Sequence, residues 1–439
     1  MLQTHEHPTV GIYTLGCKVN QYESEAIAEL FEADGFTVLP PNRICDVYVI
    51  NTCTVTAESD RKARQMIRRM ISQNPDAAVI VTGCYAQVAP DAVIGIPGVS
   101  AVIGNGEKNA VPKIARELLN PGDAVTNKIL VSSLDGAPFE PMCIRKFDRT
   151  RAYVKIEDGC ESKCTYCIIP NARGSIRSKP FEDVLSEVAG LVDSGCPEIV
   201  LTGIETASYG RDLKNTSLAS LLRSVDGIPG IHRVRLGSLD PSLIRPAFVE
   251  EIRSLSSLTP HFHLSMQSGS NAVLRRMKRK YNREQAIAAM QRLRDAIPNV
   301  QFTTDIIVGF PGETEEDFAD TVSLIREGRF LMVHVFPYSK RAGTLAAEMD
   351  DQISEEIKHQ RVSLLTKIAA EIRSEILADF LKNAPQQTVL FETYKSGYAT
   401  GHTEHFLEVR VKSPRPLDGT YREVRLCDSD ADRLYGELI

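Results

Sequence analysis

No stretch of this 439-residue chain approaches the roughly 18 consecutive apolar residues of a membrane-spanning helix, and its first residues, MLQTHEHPTV, carry no basic, apolar signal. The expectation is a cytoplasmic protein with no membrane contact. Internal repeats and low-complexity tracts are also missing. So is any excess of basic residues: 51 Lys and Arg stand against 57 Asp and Glu, a net charge of -6. That balance argues against a protein that coats nucleic acid and leaves room for a local basic site. The most telling absence is a fourth ligand. DGCESKCTYCIIP (158 to 170) presents Cys160, Cys164 and Cys167, but the next cysteine is Cys196 and the next histidine His232. A structural zinc site this compact would be closed by a fourth Cys or His nearby. Three thiolates on a four-iron cluster leave one iron open, which suits a cluster that must bind something else.

The chain is long enough for roughly three domains of about 150 residues each. Ten cysteines in a reducing compartment point to metal ligands or reactive thiols rather than disulfides. PTVGIYTLGC, CDVYVINTC and AAVIVTGC each read as a buried strand running into a cysteine and then a helix-compatible segment. Residues 1 to 140 are therefore expected to form an open, parallel-sheet α/β domain. Its carboxyl edge, where such sheets bind ligands, would carry Cys17, Cys53 and Cys84. Over 141 to 384, six strand candidates (151 to 156, 198 to 203, 232 to 238, 261 to 266, 301 to 309 and 330 to 336) alternate with helical segments. This is the pattern of a partial (β/α)6 barrel, with its chemistry at the carboxyl ends of the strands. After a long helix, roughly 352 to 383, Pro385 opens a segment (385 to 439) that reads as a small all-β barrel or sandwich.

A cluster with an open iron can bind the amino and carboxylate groups of S-adenosylmethionine and pass an electron to its sulfonium. Gly203, Gly237, Gly309 and Gly312 fall at strand ends, where backbone can approach a cofactor closely. Glu205, Ser238, Ser265 and Gln267 fall there too, as candidates to hydrogen-bond a polar ligand; turns and solvated loops use the same residue types. Tyr166 is placed to pack on a cofactor ring or over the cluster. Cys45, Cys143, Cys196 and Cys427 lack spacing partners and read as small core residues. Two basic runs remain, RKARQMIRR with Arg61, Lys62, Arg64, Arg68 and Arg69, and RRMKRKYNR with Arg275, Arg276 and Lys278. A charge run is usually a solvated face, but both lie near predicted cofactor edges, so contact with RNA phosphates is the functional reading. Residues 385 to 439 hold seven Lys or Arg against nine Asp or Glu, a net of -2, which does not support RNA gripping by that segment.

Taken together, the sequence resembles the radical S-adenosylmethionine methylthiotransferases over nearly its whole length. LGCKVNQYESE (15 to 25), NTCTVTAESDRKARQ (51 to 65), VTGCYAQ (81 to 87), HLSMQSGS (263 to 270) and DIIVGFPGET (305 to 314) resemble the branch acting on N6-threonylcarbamoyladenosine beside the tRNA anticodon. LTGIETASYG departs from that branch, with Glu205, Thr206 and Ala207 in place of the commoner His, Leu and Gly. The resemblance implies that Cys160, Cys164 and Cys167 hold a radical-generating 4Fe-4S cluster, and Cys17, Cys53 and Cys84 an auxiliary one. It implies a TRAM-like C-terminal barrel and two molecules of S-adenosylmethionine per turnover, one a methyl donor and one cleaved to a radical that opens the adenine C2–H bond. It also implies three partners: a tRNA anticodon stem-loop, a flavodoxin- or ferredoxin-like electron donor, and a sulfur donor. The alternatives are methylthiolation of isopentenyladenosine or of a ribosomal-protein aspartate and, in another class, a non-catalytic iron-sulfur RNA-binding module.

Overall fold

The computed structural model describes residues 7–120, 128–147 and 149–439, so residues 1–6 of the MLQTHEHPTV stretch lie outside it. Its first sheet is parallel throughout and contains β1 (Thr9–Thr14), β2 (Thr37–Leu39), β3 (Val47–Thr52), β4 (Ala78–Gly83), β5 (Ala101–Ile103) and β6 (Lys128–Leu130). The strand order is β2-β1-β3-β4-β5-β6. Three strands were expected; the other three have three residues each, too short to leave a periodic signal. Every residue of β3 and β4 is buried, as central strands covered on both faces require. The helix after β3, Ala57–Gln73, starts where Thr56 accepts a hydrogen bond from the Ser59 N–H, and Glu58 and Asp60 occupy its positive first turn.

The second unit contains β7 (Arg151–Lys155), a two-residue pair β8 (Glu157–Asp158) and β9 (Arg177–Ser178), then β10 (Glu198–Thr202), β11 (Arg233–Leu236), β12 (His261–Gln267), β13 (Gln301–Val308) and β14 (Met332–Pro337). Two three-stranded parallel sheets, β11-β10-β7 and β12-β13-β14, are joined by parallel bridges at Val234–Leu258 and Leu239–Leu264. The six expected strands thus form one arc, β7-β10-β11-β12-β13-β14. Helix Lys18–Ala33 of the first unit packs on β7, and helix Glu355–Asn383 packs on β14, so the two flank the open side of the arc. Apolar residues such as Ala152, Val154, Ile199 and Leu201 form the core beneath the outer helices. The alternate residues face the lumen and are largely charged or polar.

The last unit is a closed barrel of β15 (Gln386–Lys395), β16 (Tyr398–Thr403), β17 (Glu408–Lys412), β18 (Tyr421–Ser429) and β19 (Leu434–Leu438), ordered β15-β16-β17-β19-β18. It seals the amino end of the arc. Arg151 pairs with Glu392 at 2.6 Å, the Arg233 guanidinium donates to the Thr388 carbonyl at 2.8 Å, and His261 stacks on Phe406 with ring centroids 4.6 Å apart. Glu198 lies between Arg151 at 2.7 Å and Arg235 at 3.2 Å. Burial works against its charge, yet the two guanidinium groups hold its carboxyl down at about 2.

Candidate active site

β1, β3 and β4 are neighbours, so the cysteines that follow them share one sheet edge. Cys17 precedes the helix Lys18–Ala33, Cys53 follows β3, and Cys84 opens the short helix Cys84–Val88. The approach is close: Gly16 has a φ of +111°, and a Cβ there would lie 2.9 Å from the Cys53 Cβ. Cys53 and Cys84 are buried and Cys17 is exposed. Burial, then the neighbouring Cys84, pushes the Cys53 thiol up to about 11. Such a thiol stays protonated at neutral pH until a metal displaces its proton.

The second trio sits at the carboxyl end of β7, where barrel chemistry belongs. The β8–β9 pair clamps the root of its loop, and the Cys160 N–H donates to the Gly174 carbonyl at 3.0 Å. Gly159 must be glycine: its φ is +90°, and a Cβ would fall 1.9 Å from the Ser175 carbonyl oxygen. Each sulfur has its own donor. The Ser162 N–H points at Cys160 Sγ and the Ile169 N–H at Cys167 Sγ, both at 3.4 Å, and Arg279 Nη1 lies 3.3 Å from Cys164 Sγ. Arg279 is fixed by Asp240 at 2.8 Å. On the other flank Glu205 lies 3.1 Å from Cys160 Sγ, with Lys280 at 3.3 Å from its second oxygen. Burial and that carboxylate push the Cys160 thiol up to about 12, and burial raises Cys167 to about 11.

One side chain joins the two trios. Arg173 closes the short helix Ile169–Arg173, which follows the cysteine loop, and is fully buried. Its Nε lies 3.2 Å from Cys84 Sγ; its other nitrogens reach Asn20 at 2.7 Å, Glu23 at 2.5 Å and Asp158 at 3.2 Å. Lys108 at 3.0 Å and Lys155 at 2.9 Å complete the shell around Glu23. With Arg177 at 3.6 Å from Asp158, four buried cations face two carboxylates, and Arg173 brings part of the surplus positive charge against Cys84. Burial opposes ionisation of Glu23, but Arg173, Lys108 and Lys155 together hold it well below the usual carboxylate range. A second clasp ties the edges together: Arg341, beyond β14, pairs with Asp60 and donates to the Thr54 hydroxyl at 2.5 Å.

These features fit iron-sulfur clusters. Among the described residues no three His, Cys, Asp or Glu side chains converge as one metal ion requires. Both trios are thiol-only, with N–H or guanidinium donors aimed at sulfur, the contacts that tune cluster potentials.

The remaining expected residues are distributed unevenly. Glu205 reaches the cysteine loop. Ser265 contributes its carbonyl to Arg279 at 3.2 Å and Tyr281 at 2.6 Å, and Gln267 ends β12 at a φ of +64°. Ser238 is exposed, Gly203 abuts Glu157, and the Gly309 N–H is already bonded to Glu313 at 3.1 Å. Tyr166 packs edge-on against Phe310 at 6.5 Å in a small apolar cluster. The basic runs are largely occupied within the protein. Arg61 and Lys62 face Glu58, Arg64 donates to the Tyr85 hydroxyl at 3.1 Å, and Arg276 pairs with Asp317 at 3.1 Å. Arg68, Arg69, Arg275 and Lys278 point outward with no partner among the described residues. Cys45 and Cys196 are core residues as expected; Cys143 and Cys427 are exposed, because both stand on segments that pack through their neighbours. Sequence reasoning passed over Arg173, Glu23, Lys108, Lys155 and Arg279. The only available signal was the placement of Asn20 and Glu23 three residues apart on the cysteine side of their helix.

Comparison with known proteins fits this geometry. Residues 154–325 match the Radical SAM superfamily and residues 9–104 the uncharacterized protein family UPF0004, so each trio falls within one match. A threonylcarbamoyladenosine tRNA methylthiotransferase, MtaB, of Bacillus subtilis (strain 168) is 42% identical over 95% of this chain and 93% of its own length. The protein of the same name from Thermotoga maritima is 39% identical over 95% and 94%. The chain belongs to the radical SAM methylthiotransferase family. A tRNA-2-methylthio-N(6)-dimethylallyladenosine synthase of Finegoldia magna is 33% identical over 100% of this chain and 96% of its own. The radical S-adenosylmethionine methyltransferase TsrM of Kitasatospora setae shares the fold at 16% identity, with a TM-score of 0.54, covering 87% of this chain and 80% of that one. Methylthiotransferases of this family use S-adenosylmethionine and a 4Fe-4S cluster, and carry a second cluster. No helix among the described residues is long and apolar enough to cross a membrane.

Proposed function

We propose that this protein converts N6-threonylcarbamoyladenosine beside the tRNA anticodon to its 2-methylthio derivative. The observation that carries the proposal is Arg173, which starts from the loop of one cysteine trio and ends on a sulfur of the other. Two metal sites locked together in this way serve one substrate rather than two. Cys160, Cys164 and Cys167 would hold the radical cluster, and Cys17, Cys53 and Cys84 the auxiliary one. When bound, the clusters and S-adenosylmethionine supply the electron, the radical, the sulfur and the methyl group. The chain supplies position: the β8–β9 clamp fixes one trio and the strand ends fix the other. Arg68, Arg69, Arg275 and Lys278 are the cations left over to meet RNA phosphates. The threonylcarbamoyl substrate is favoured by the relatives at 42% and 39% identity. A cytoplasmic location, a small reductant protein and a sulfur donor complete the reading.

The test is anaerobic reconstitution followed by incubation with S-adenosylmethionine, dithionite and anticodon stem-loops carrying either the threonylcarbamoyl or the dimethylallyl group. Mass spectrometry of the digested nucleosides should show a methylthio product only from the first. Product only from the second would transfer the enzyme to the other branch.

A further inference from the structure

The segment after β14 crosses from one cysteine trio to the other, and each step of the crossing is fixed. Arg341 pairs with Asp60 and donates to the hydroxyl of Thr54, the residue after Cys53. A turn then closes, in which the N–H and the hydroxyl of Thr344 both donate to the Arg341 carbonyl, at 3.2 and 2.7 Å. The Ala346 N–H next donates at 2.8 Å to the carbonyl of Thr165, which lies between Cys164 and Cys167. The Gln352 amide binds the Ala346 and Met349 carbonyls at 3.1 and 2.8 Å. Thr344, Ala346 and Ala347 are buried, yet Leu345 in their midst is 57% exposed. At the other end of the crossing Val55, beside Thr54, is 51% exposed.

A single exposed leucine is ordinary. Leu345 differs in its mount: buried residues on both sides hold its backbone at the seam of two sites, so its side chain is presented for contact. The surroundings name the chemistry of the partner. Helix Ala57–Gln73 starts two residues after Val55 and carries Arg68 and Arg69 outward. Apolar surface for bases, flanked by cations for phosphates, is the pattern of single-stranded RNA recognition. We propose that Leu345 is a wedge that enters the anticodon-loop stack at the place the target base leaves. This inference rests on the function proposed above and adds how that substrate is opened. A base that must meet groups from both trios has to leave its stack. Unstacking costs free energy, and an apolar side chain filling the gap between the neighbouring bases returns part of it. Val55 extends the apolar contact on the auxiliary side, and Arg68 and Arg69 meet phosphates of the same loop.

The experiment uses the full-length reconstituted protein, the Leu345→Ala and Leu345→Met variants, and threonylcarbamoyl stem-loops of three kinds: unaltered, with 2-aminopurine as the 3′ neighbour of the target, and with abasic sites at both neighbours. The 2-aminopurine fluorescence rises as the target leaves the stack; kcat and KM are measured on the other two loops. Leu345→Ala should remove most of the rise and lower kcat/KM on the unaltered loop roughly 10- to 50-fold, the worth of the apolar carbons it deletes. Leu345→Met should keep most of both. On the abasic loop, which has no stack to enter, Leu345→Ala and the wild type should converge. Iron content should be that of the wild type, because the side chain is exposed. The proposal is overturned if Leu345→Ala keeps the wild-type fluorescence rise and kcat/KM. It is equally overturned if the loss is as large on the abasic loop, which would make Leu345 a support for the cysteine loop. A wild type that leaves the unaltered loop unmodified defeats the function reading instead, while the fluorescence comparison still decides the wedge, so the two failures are distinguishable.

Discussion

Replacing Arg173 by Met removes the guanidinium from the seam between the two cysteine trios. Six hydrogen-bond acceptors lose a partner: Cys84 Sγ, Asn20 Oδ1, both oxygens of Glu23 and both of Asp158. Breaking a buried ion pair by deleting one partner costs about 3–5 kcal/mol. The lower end applies here, because Glu23 keeps Lys108 and Lys155, and Asp158 keeps Lys155 and Arg177. Cys84 is left with only the Asn105 amide at 3.9 Å, and the Asn20 oxygen with only the Cys17 thiol at 3.8 Å. A loss of about 3 kcal/mol lowers the melting temperature by roughly 6–12 °C on the scale of domains of 150–250 residues. Differential scanning fluorimetry of the iron-free protein reads that fall. Iron analysis after reconstitution should show selective loss from the Cys17, Cys53, Cys84 trio, and Arg173→Lys should recover part of both effects. A melting temperature within a degree of wild type, with full iron content, would refute the claim that this contact joins the two sites.

Three further outcomes follow from the same geometry. Arg279→Gln takes a cation from Cys164 and Glu205→Gln takes an anion from Cys160, so the radical cluster's potential should fall in the first variant and rise in the second. Redox titration followed by electron paramagnetic resonance checks the signs; shifts in one direction for both would defeat the assignment. His405 is held at about 4, against an ordinary 6.5, by burial and then by Arg233 and Arg235. Because its folded-state pKa is depressed, its contribution of about 3 kcal/mol is complete above pH 6.5 and lost between pH 6.5 and 4. Glu198, held at about 2, adds a second loss between pH 4.5 and 2. Urea midpoints should therefore fall in two stages on acidification, and His405→Phe should abolish the first. Finally, Arg275 and Lys278 changed together to Ala should weaken stem-loop binding and reduce its salt slope by about 2 while sparing S-adenosylmethionine cleavage.

The sequence exposes the parts whose chemistry is local. Cysteines at the ends of apolar strands, and three of them within eight residues of one loop, are legible because a cluster ligand must be a thiol at a fixed backbone position. The six strands of the arc were equally plain, since each is an apolar run bounded by helices. The three-residue strands β2, β5 and β6 were not, because they take their order from neighbours in the sheet. Arg173 was hidden for another reason. In IPNARGSIRS it reads as an ordinary loop cation, and only the docking of a segment some 150 positions away buries it against Glu23 and Asn20. RRMKRKYNR was misleading in the same way: one stretch sends Arg279 inward to Cys164, Arg276 to Asp317 and Lys280 to Glu205, and leaves Arg275 and Lys278 outside.

The central claim is that two cysteine trios hold two four-iron clusters around one lumen. Anaerobic iron and sulfide quantification with Mössbauer spectroscopy tests it directly, comparing the wild type with the variant in which Cys160, Cys164 and Cys167 are all Ala. The account predicts about eight irons falling to about four. About four in the wild type, falling to none, would contradict it and leave Cys17, Cys53 and Cys84 as structural thiols.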